Sequence, residues 1–100
     1  MKQNAIIWDE GASSELEEAA AWYEKQRLGL GDELHAEVNA VVARILREPK
    51  TYRSVHKNIR RALVNRFPYA VLFECEMGIL VVISIFHMKR NPQLWRKRMD

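Results

Sequence analysis

The chain has a single cysteine, Cys75, among its 100 residues. One thiol can build neither an internal disulfide framework nor a multi-cysteine metal site. Glycine and proline are scarce, at 4 and 3 residues, which excludes a low-complexity or collagen-like chain. The longest apolar run, Ile79 to Phe86, is interrupted by Ser84 and falls far short of the ~20 residues a helix needs to cross a bilayer. Only Ile6, Ile7 and Trp8 separate the opening residues from Asp9 and Glu10, a pattern that predicts no secretory signal and a cytoplasmic protein. There is no Gly-rich phosphate loop, no His-Glu-x-x-His pair and no nucleophile elbow. His35, His56 and His87 lie far apart in the sequence, so no metal site is expected, and no cofactor either.

What is present describes one small globular domain. Hydrophobic residues make up 48% and charged residues 29%, ordinary for a chain that buries roughly two-thirds of its unfolded surface. The net charge of +3 conceals a division. Residues 1–48 hold ten acids against five bases, whereas residues 49–100 hold eleven bases against three acids. The second half is therefore expected to present an electropositive face, suited to phosphates or to an acidic partner.

The patterning predicts strand, two helices, then strands. Ala5–Trp8 is a short apolar run ended by Asp9-Glu10-Gly11 and reads as a strand. Ser14 and Glu17 form a capping-box pattern, and a helix from there to about Leu28 carries Leu16, Ala19, Ala20 and Tyr23 at helical spacing. Gly29 suits a left-handed cap, and Asp32 can cap a second helix with Leu34, Val38, Val41, Val42 and Ile45 on one stripe. Leu46 sits beside that stripe and Pro49 ends the helix. Residues 50–58 show no period and read as a polar loop. Strands follow over Arg60 to about Arg66, Tyr69–Cys75 and Ile79–His87, with a tight turn at Met77-Gly78. The last strand is apolar on both faces, which places it centrally. The expected fold class is α+β, in the order β-α-α-β-β-β: an antiparallel sheet with an N-terminal helical hairpin packed on one face.

The candidate chemistry is a basic constellation. Arg61 and Asn65 share a face of the second strand, Arg66 ends it, and His87, Lys89 and Arg90 leave the last strand. With these strands on either side of the third, the groups could meet at one end of the sheet. Clustered arginines hold a phosphate in bidentate fashion and stabilise the extra charge of a pentavalent transition state. Imidazole is the side chain suited to proton transfer near neutral pH. The structural alternatives are that His87 fixes the tail through a backbone carbonyl, and that Glu74 or Glu76 pairs with the arginines. Cys75 alternates with Val71 and Phe73 and reads as a small core residue.

Two strings in the second half resemble a known family. Arg61-x-Leu63-x-x-Arg66-Phe67-Pro68-Tyr69-x-Val71-x-Phe73 and Ile83-x-Ile85-x-His87-x-Lys89-Arg90-Asn91-Pro92-x-x-Trp95-x-x-Arg98 are similar to the RelE/ParE superfamily of toxins from type II toxin–antitoxin pairs. Trp22-Tyr23-Glu24 and Gly29-Leu30-Gly31 resemble that family's helical hairpin. The resemblance implies a growth-inhibiting toxin neutralised by a cognate antitoxin. RelE-like members cleave mRNA in the ribosome, and ParE-like members poison DNA gyrase. The Phe-Pro-Tyr and Pro-x-x-Trp strings are closer to the ParE-like branch, so gyrase is the expected target, with ribosome-dependent mRNA cleavage as the alternative. Arg61, Arg66, His87 and Arg90 are the candidate catalytic residues, or target contacts if the chain is not an enzyme. Val42 and Leu46, at the stripe's margin, together with Trp95 and Arg98, are the candidate partner contacts.

Overall fold

The computed structural model describes residues 5–89. The order is β1 (Ala5–Trp8), α1 (Glu10–Gln26), α2 (Leu30–Arg47), a 3₁₀ turn (Pro49–Thr51), β2 (Arg53–His56), β3 (Ile59–Leu63), β4 (Tyr69–Glu76) and β5 (Ile79–His87). The five strands form one sheet in the order β1-β5-β4-β3-β2. It is an α+β fold, and the α-helices lie against one face, α1 over β5 and α2 over β3 and β4.

The structure departs from the expectation at several points. The strand expected to reach Arg66 ends at Leu63, so Arg66 lies in the connection to β4. The segment read as a loop contains β2, which pairs antiparallel with β3. Arg53–His56 has no alternation of its own and is a strand because β3 offers it a ladder of hydrogen bonds. The sheet is not wholly antiparallel, since β1 runs parallel to β5; the crossover through the two helices and the other strands permits that direction. Finally, α1 starts at Glu10 rather than at Ser14. The Asp9 carboxylate accepts from the Gly11 N–H at 2.8 Å, while the Asp9 N–H donates to the Val82 carbonyl at 2.9 Å. One residue thus ends the strand and caps the helix, which leaves Ser14 inside it.

The helix stripes behave as their spacing predicts. Leu34, Val38, Val41, Val42 and Ile45 of α2 are buried, with Leu16, Ala19 and Ala20 of α1, against Val71, Phe73, Leu80, Val82 and Ile85 of the sheet. Each fully buried Val, Leu, Ile or Phe side chain among these contributes about 1.5–3 kcal/mol. A second, smaller cluster of Ile59, Leu72, Ile83 and Phe86 lies on the opposite face of the sheet. The β4–β5 connection is a two-residue turn in which Met77 and Gly78 both have positive φ, 51° and 80°, the conformation that matches the twist of a hairpin.

The α1–α2 turn is unusually tight. Gly29, at φ 88°, precedes α2 in the left-handed region and occupies the N-cap position that Asp32 was expected to fill. Asp32 instead lies in the first helical turn. The Glu24 carboxylate reaches across the turn and accepts from the Gly29 and Gly31 N–H groups at 2.9 and 3.0 Å. A Cβ at Gly31 would lie 2.6 Å from the Ala20 carbonyl oxygen. That oxygen belongs to helix backbone and cannot move aside without shifting α1. Gly31→Ala is therefore expected to destabilise by about 2 kcal/mol, the overpacking penalty outweighing alanine's better helix propensity. On a chain this size the midpoint should fall by roughly 10 °C in a thermal melt; an unchanged or higher midpoint would show that the helices are farther apart than described.

Candidate functional site

The β3–β4 connection sits where the helical hairpin meets the end of the sheet. After Leu63, the Val64 N–H donates to the Tyr69 carbonyl at 2.9 Å and the Tyr69 N–H to the Phe67 carbonyl at 2.8 Å. This short closure forces Arg66 to φ 73°, a region that costs a side chain with a Cβ about 1–2 kcal/mol. Arg66 has compensating partners. One guanidinium nitrogen donates to Glu33 and the other to Glu37 at 3.3 Å, and the group also lies 5.6 Å from the centre of the Phe67 ring.

Glu33 and Glu37 are four residues apart on α2 and so share a face. Arg27, just past α1, also reaches Glu33, at 3.0 Å. The result is a chain of alternating charge, Arg27–Glu33–Arg66–Glu37. The Arg66 hydrogen bond, helped by Arg27, holds the Glu33 carboxyl below the usual carboxylate range, and Glu33 and then Glu37 hold Arg66 more firmly protonated. Sequence reading found Arg66 but not its partners, although the Glu33/Glu37 spacing was a readable sign of a carboxylate pair on one helix face.

His87 ends β5 in register with Tyr69. Its ring meets the Tyr69 ring edge-on with centres 5.0 Å apart, and Tyr69 continues through Tyr23 to Phe67. The Lys89 N–H donates to His87 Nδ1 at 3.1 Å, so that nitrogen is engaged in holding the strand's exit. This matches the structural alternative in kind, with a backbone N–H rather than a carbonyl as partner.

Arg61 points elsewhere. It is in register with Leu72, which belongs to the cluster on the face away from the helices. His87, paired with Tyr69, lies on the helix-facing side. A bulge separates them: Leu72 pairs with Ser84 but Phe73 with Val82, leaving Ile83 as an extra residue in β5. Counting in twos from Val81 and Ile83 puts His87 on the same face as Arg61; the bulge reverses that. The expected convergence is thus corrected. Arg66 and His87 share one end of the sheet with three aromatic rings between them, and Arg61 is on the other face. Arg90, Trp95 and Arg98 lie outside the described residues. Val42, expected at a partner surface, is 5% exposed and packs in the core, because the α2 stripe is wide enough to take in both Val41 and Val42. Leu46 is half-buried against that core.

A shallow groove of about 380 Å³ adjoins this region, lined by Glu37, Ala40, Ala43, Arg44 and Arg47 of α2 and by Asn65. Among the described residues no cluster of side chains could hold a metal ion, and no helix is long and apolar enough to cross a membrane.

The ion-pair chain yields a pH prediction. A carboxyl held low in the folded state stabilises the fold above its ordinary titration range, and that contribution is lost as pH falls through the folded value. Arg66→Ala should therefore move the Glu33 titration, followed by NMR of the side-chain carboxyl carbon, upward toward the ordinary range and reduce the acid sensitivity of stability. A Glu33 midpoint indifferent to Arg66 would mean the pair does not form in solution.

Comparison with known proteins follows the same lines. The family described as ParE toxin of type II toxin–antitoxin system, parDE, matches residues 6–92, which takes in both helices, all the strands of the sheet after Ala5 and the Arg66 turn. A solved structure described as the chromosomal ParDE TA system from P. aeruginosa has a TM-score of 0.75, covering 86% of this chain and 97% of that chain at 12% identity; at that identity the likeness is one of fold. No individual curated protein sequence matches. The family match extends over nearly all of the described residues, and the chain belongs to the ParE toxins of type II toxin–antitoxin systems.

Proposed function

We propose that this toxin arrests growth in the cytoplasm by poisoning DNA gyrase, and that a cognate antitoxin neutralises it. The observation that carries the choice of target is the separation of the candidate groups. Cleavage of RNA needs a general base or acid and a cationic phosphate clamp within a few ångströms of one reacting phosphate. Here Arg61 and His87 are on opposite faces of the sheet, and the Arg66 fork is already engaged by two carboxylates. This arrangement suits a protein that works through binding surfaces better than one that works as a nuclease. The family match over residues 6–92 supports the same branch.

The α2 groove is a fitting seat for the antitoxin. Ala40 and Ala43 keep its floor low, and Arg44 and Arg47 stand along it, so an acidic helix could approach α2 closely while its carboxylates meet the arginines. Leu46, half-buried beside the core, is proposed as a further antitoxin contact on α2.

Purified toxin added to a gyrase supercoiling reaction should accumulate cleaved plasmid, and added to a translating ribosome reaction should leave mRNA intact. Codon-specific mRNA cuts without cleaved plasmid would reverse the assignment and return Arg61, Arg66 and His87 to a catalytic reading.

A further inference from the structure

The arginines of the described residues divide by whether the fold satisfies them. Arg27 and Arg66 are paired with carboxylates. Arg60 donates to the Tyr52 carbonyl at 2.6 Å. Arg44, Arg47, Arg53 and Arg61 have no such partner among the described residues, and of these Arg53 and Arg61 are cross-strand neighbours, Arg53 of β2 standing in register with Arg61 of β3. Residues in register on antiparallel strands put their side chains on the same face with Cβ atoms about 4.5–5.5 Å apart, and like charges so placed repel. The fold tolerates the opposition, and among the described residues no carboxylate forms an ion pair with either guanidinium.

The surroundings point the same way. From Pro49 to Phe73 the sequence contains no acid, and it contains Lys50, Arg53, Lys57, Arg60, Arg61 and Arg66. Of these, only Arg66 is neutralised by α2. The others lie on or beside the β2–β3 hairpin, and β2 is the outermost strand of the sheet, so the hairpin presents a two-stranded ribbon of one charge sign at the molecule's edge. Arg53 is exposed and Arg61 half-buried.

We propose that the β2–β3 hairpin binds the phosphate backbone of duplex DNA, with Arg53 and Arg61 together holding phosphate oxygens. A guanidinium fork matches phosphate in bidentate fashion, and cations strung along a ribbon answer a line of phosphates, whereas a single carboxylate would answer one of them. B-form DNA is the fitting duplex, since its major groove, about 12 Å wide, admits a two-stranded ribbon and the deep, narrow groove of A-form RNA does not. The site is distinct from the α2 groove and does not rest on gyrase being the target.

The test uses the full chain and a fluorescent DNA duplex of about 20 base pairs and arbitrary sequence, followed by anisotropy between ~50 and ~200 mM salt. Binding should weaken steeply with salt. The double variant Arg53→Gln/Arg61→Gln should flatten the log–log salt slope by about 2 and lose roughly tenfold in affinity at the lower salt. Arg44→Gln/Arg47→Gln removes the same charge from α2 and should leave the slope unchanged. A second readout is independent of any ligand: because the two guanidinium groups repel, Arg53→Gln alone should raise the thermal midpoint. Equal losses in the two double variants would reduce the effect to net charge and overturn the site. So would undetectable binding by the unmodified chain, tighter binding to an RNA duplex, or a lowered midpoint for Arg53→Gln.

Discussion

The closure of α1 onto α2 at Gly31 is the constraint from which the rest of the architecture follows. The helices approach until a single added carbon would strike the Ala20 carbonyl, and Glu24 ties the turn by accepting two backbone N–H groups. That closure sets the rotation of α2 about its own axis. Its apolar stripe then faces the sheet, and Glu33 and Glu37 come to lie over the β3–β4 turn. Arg66 can occupy a left-handed conformation there because two carboxylates and an aromatic ring wait for its side chain. The backbone strain at Arg66 is partly offset by its charge-assisted hydrogen bonds to Glu33 and Glu37, which solvent screens at this exposed turn.

The same constraint explains where the charge goes. The first half of the chain is acidic and the second basic, but the fold does not simply set one against the other. The α2 acids neutralise the turn nearest the hairpin and reach no farther. At the β2–β3 edge, Arg53 and Arg61 meet no carboxylate among the described residues. The cross-strand Arg53–Arg61 pair costs a few tenths of a kcal/mol up to about 1, a small penalty against the buried core yet one that a purely structural sheet would not need. Features of this kind, locally unfavourable and tolerated by the whole, are where binding is most naturally sought.

Much of the fold was legible because it rests on period and punctuation. The α2 stripe, the Met77-Gly78 turn and the interior position of β5, between β1 and β4, follow from spacing that elementary geometry interprets in one way. What was not legible depends on partners distant in sequence. β2 has no alternation and exists through its pairing with β3. The parallel direction of β1 is set by β5. The candidate site turns most on a single residue: the extra Ile83 in β5 sends His87 to the face opposite Arg61. A bulge leaves no mark in a run as uniformly apolar as Leu80 to Phe86, so counting in twos along that strand could not find it.

This fold satisfies Arg27, Arg60 and Arg66 internally, whereas Arg53 and Arg61 find no partner among the described residues. Hydrogen exchange of the arginine Nη–H groups, resolved by NMR at low temperature, measures that division residue by residue, since the bonds of Arg60 and Arg66 are donated by those nitrogens. Slowed exchange at Arg60 and Arg66 with near-free exchange at Arg53 and Arg61 is the predicted result. Protection at Arg61 equal to that at Arg66, or free exchange at Arg66, would contradict it.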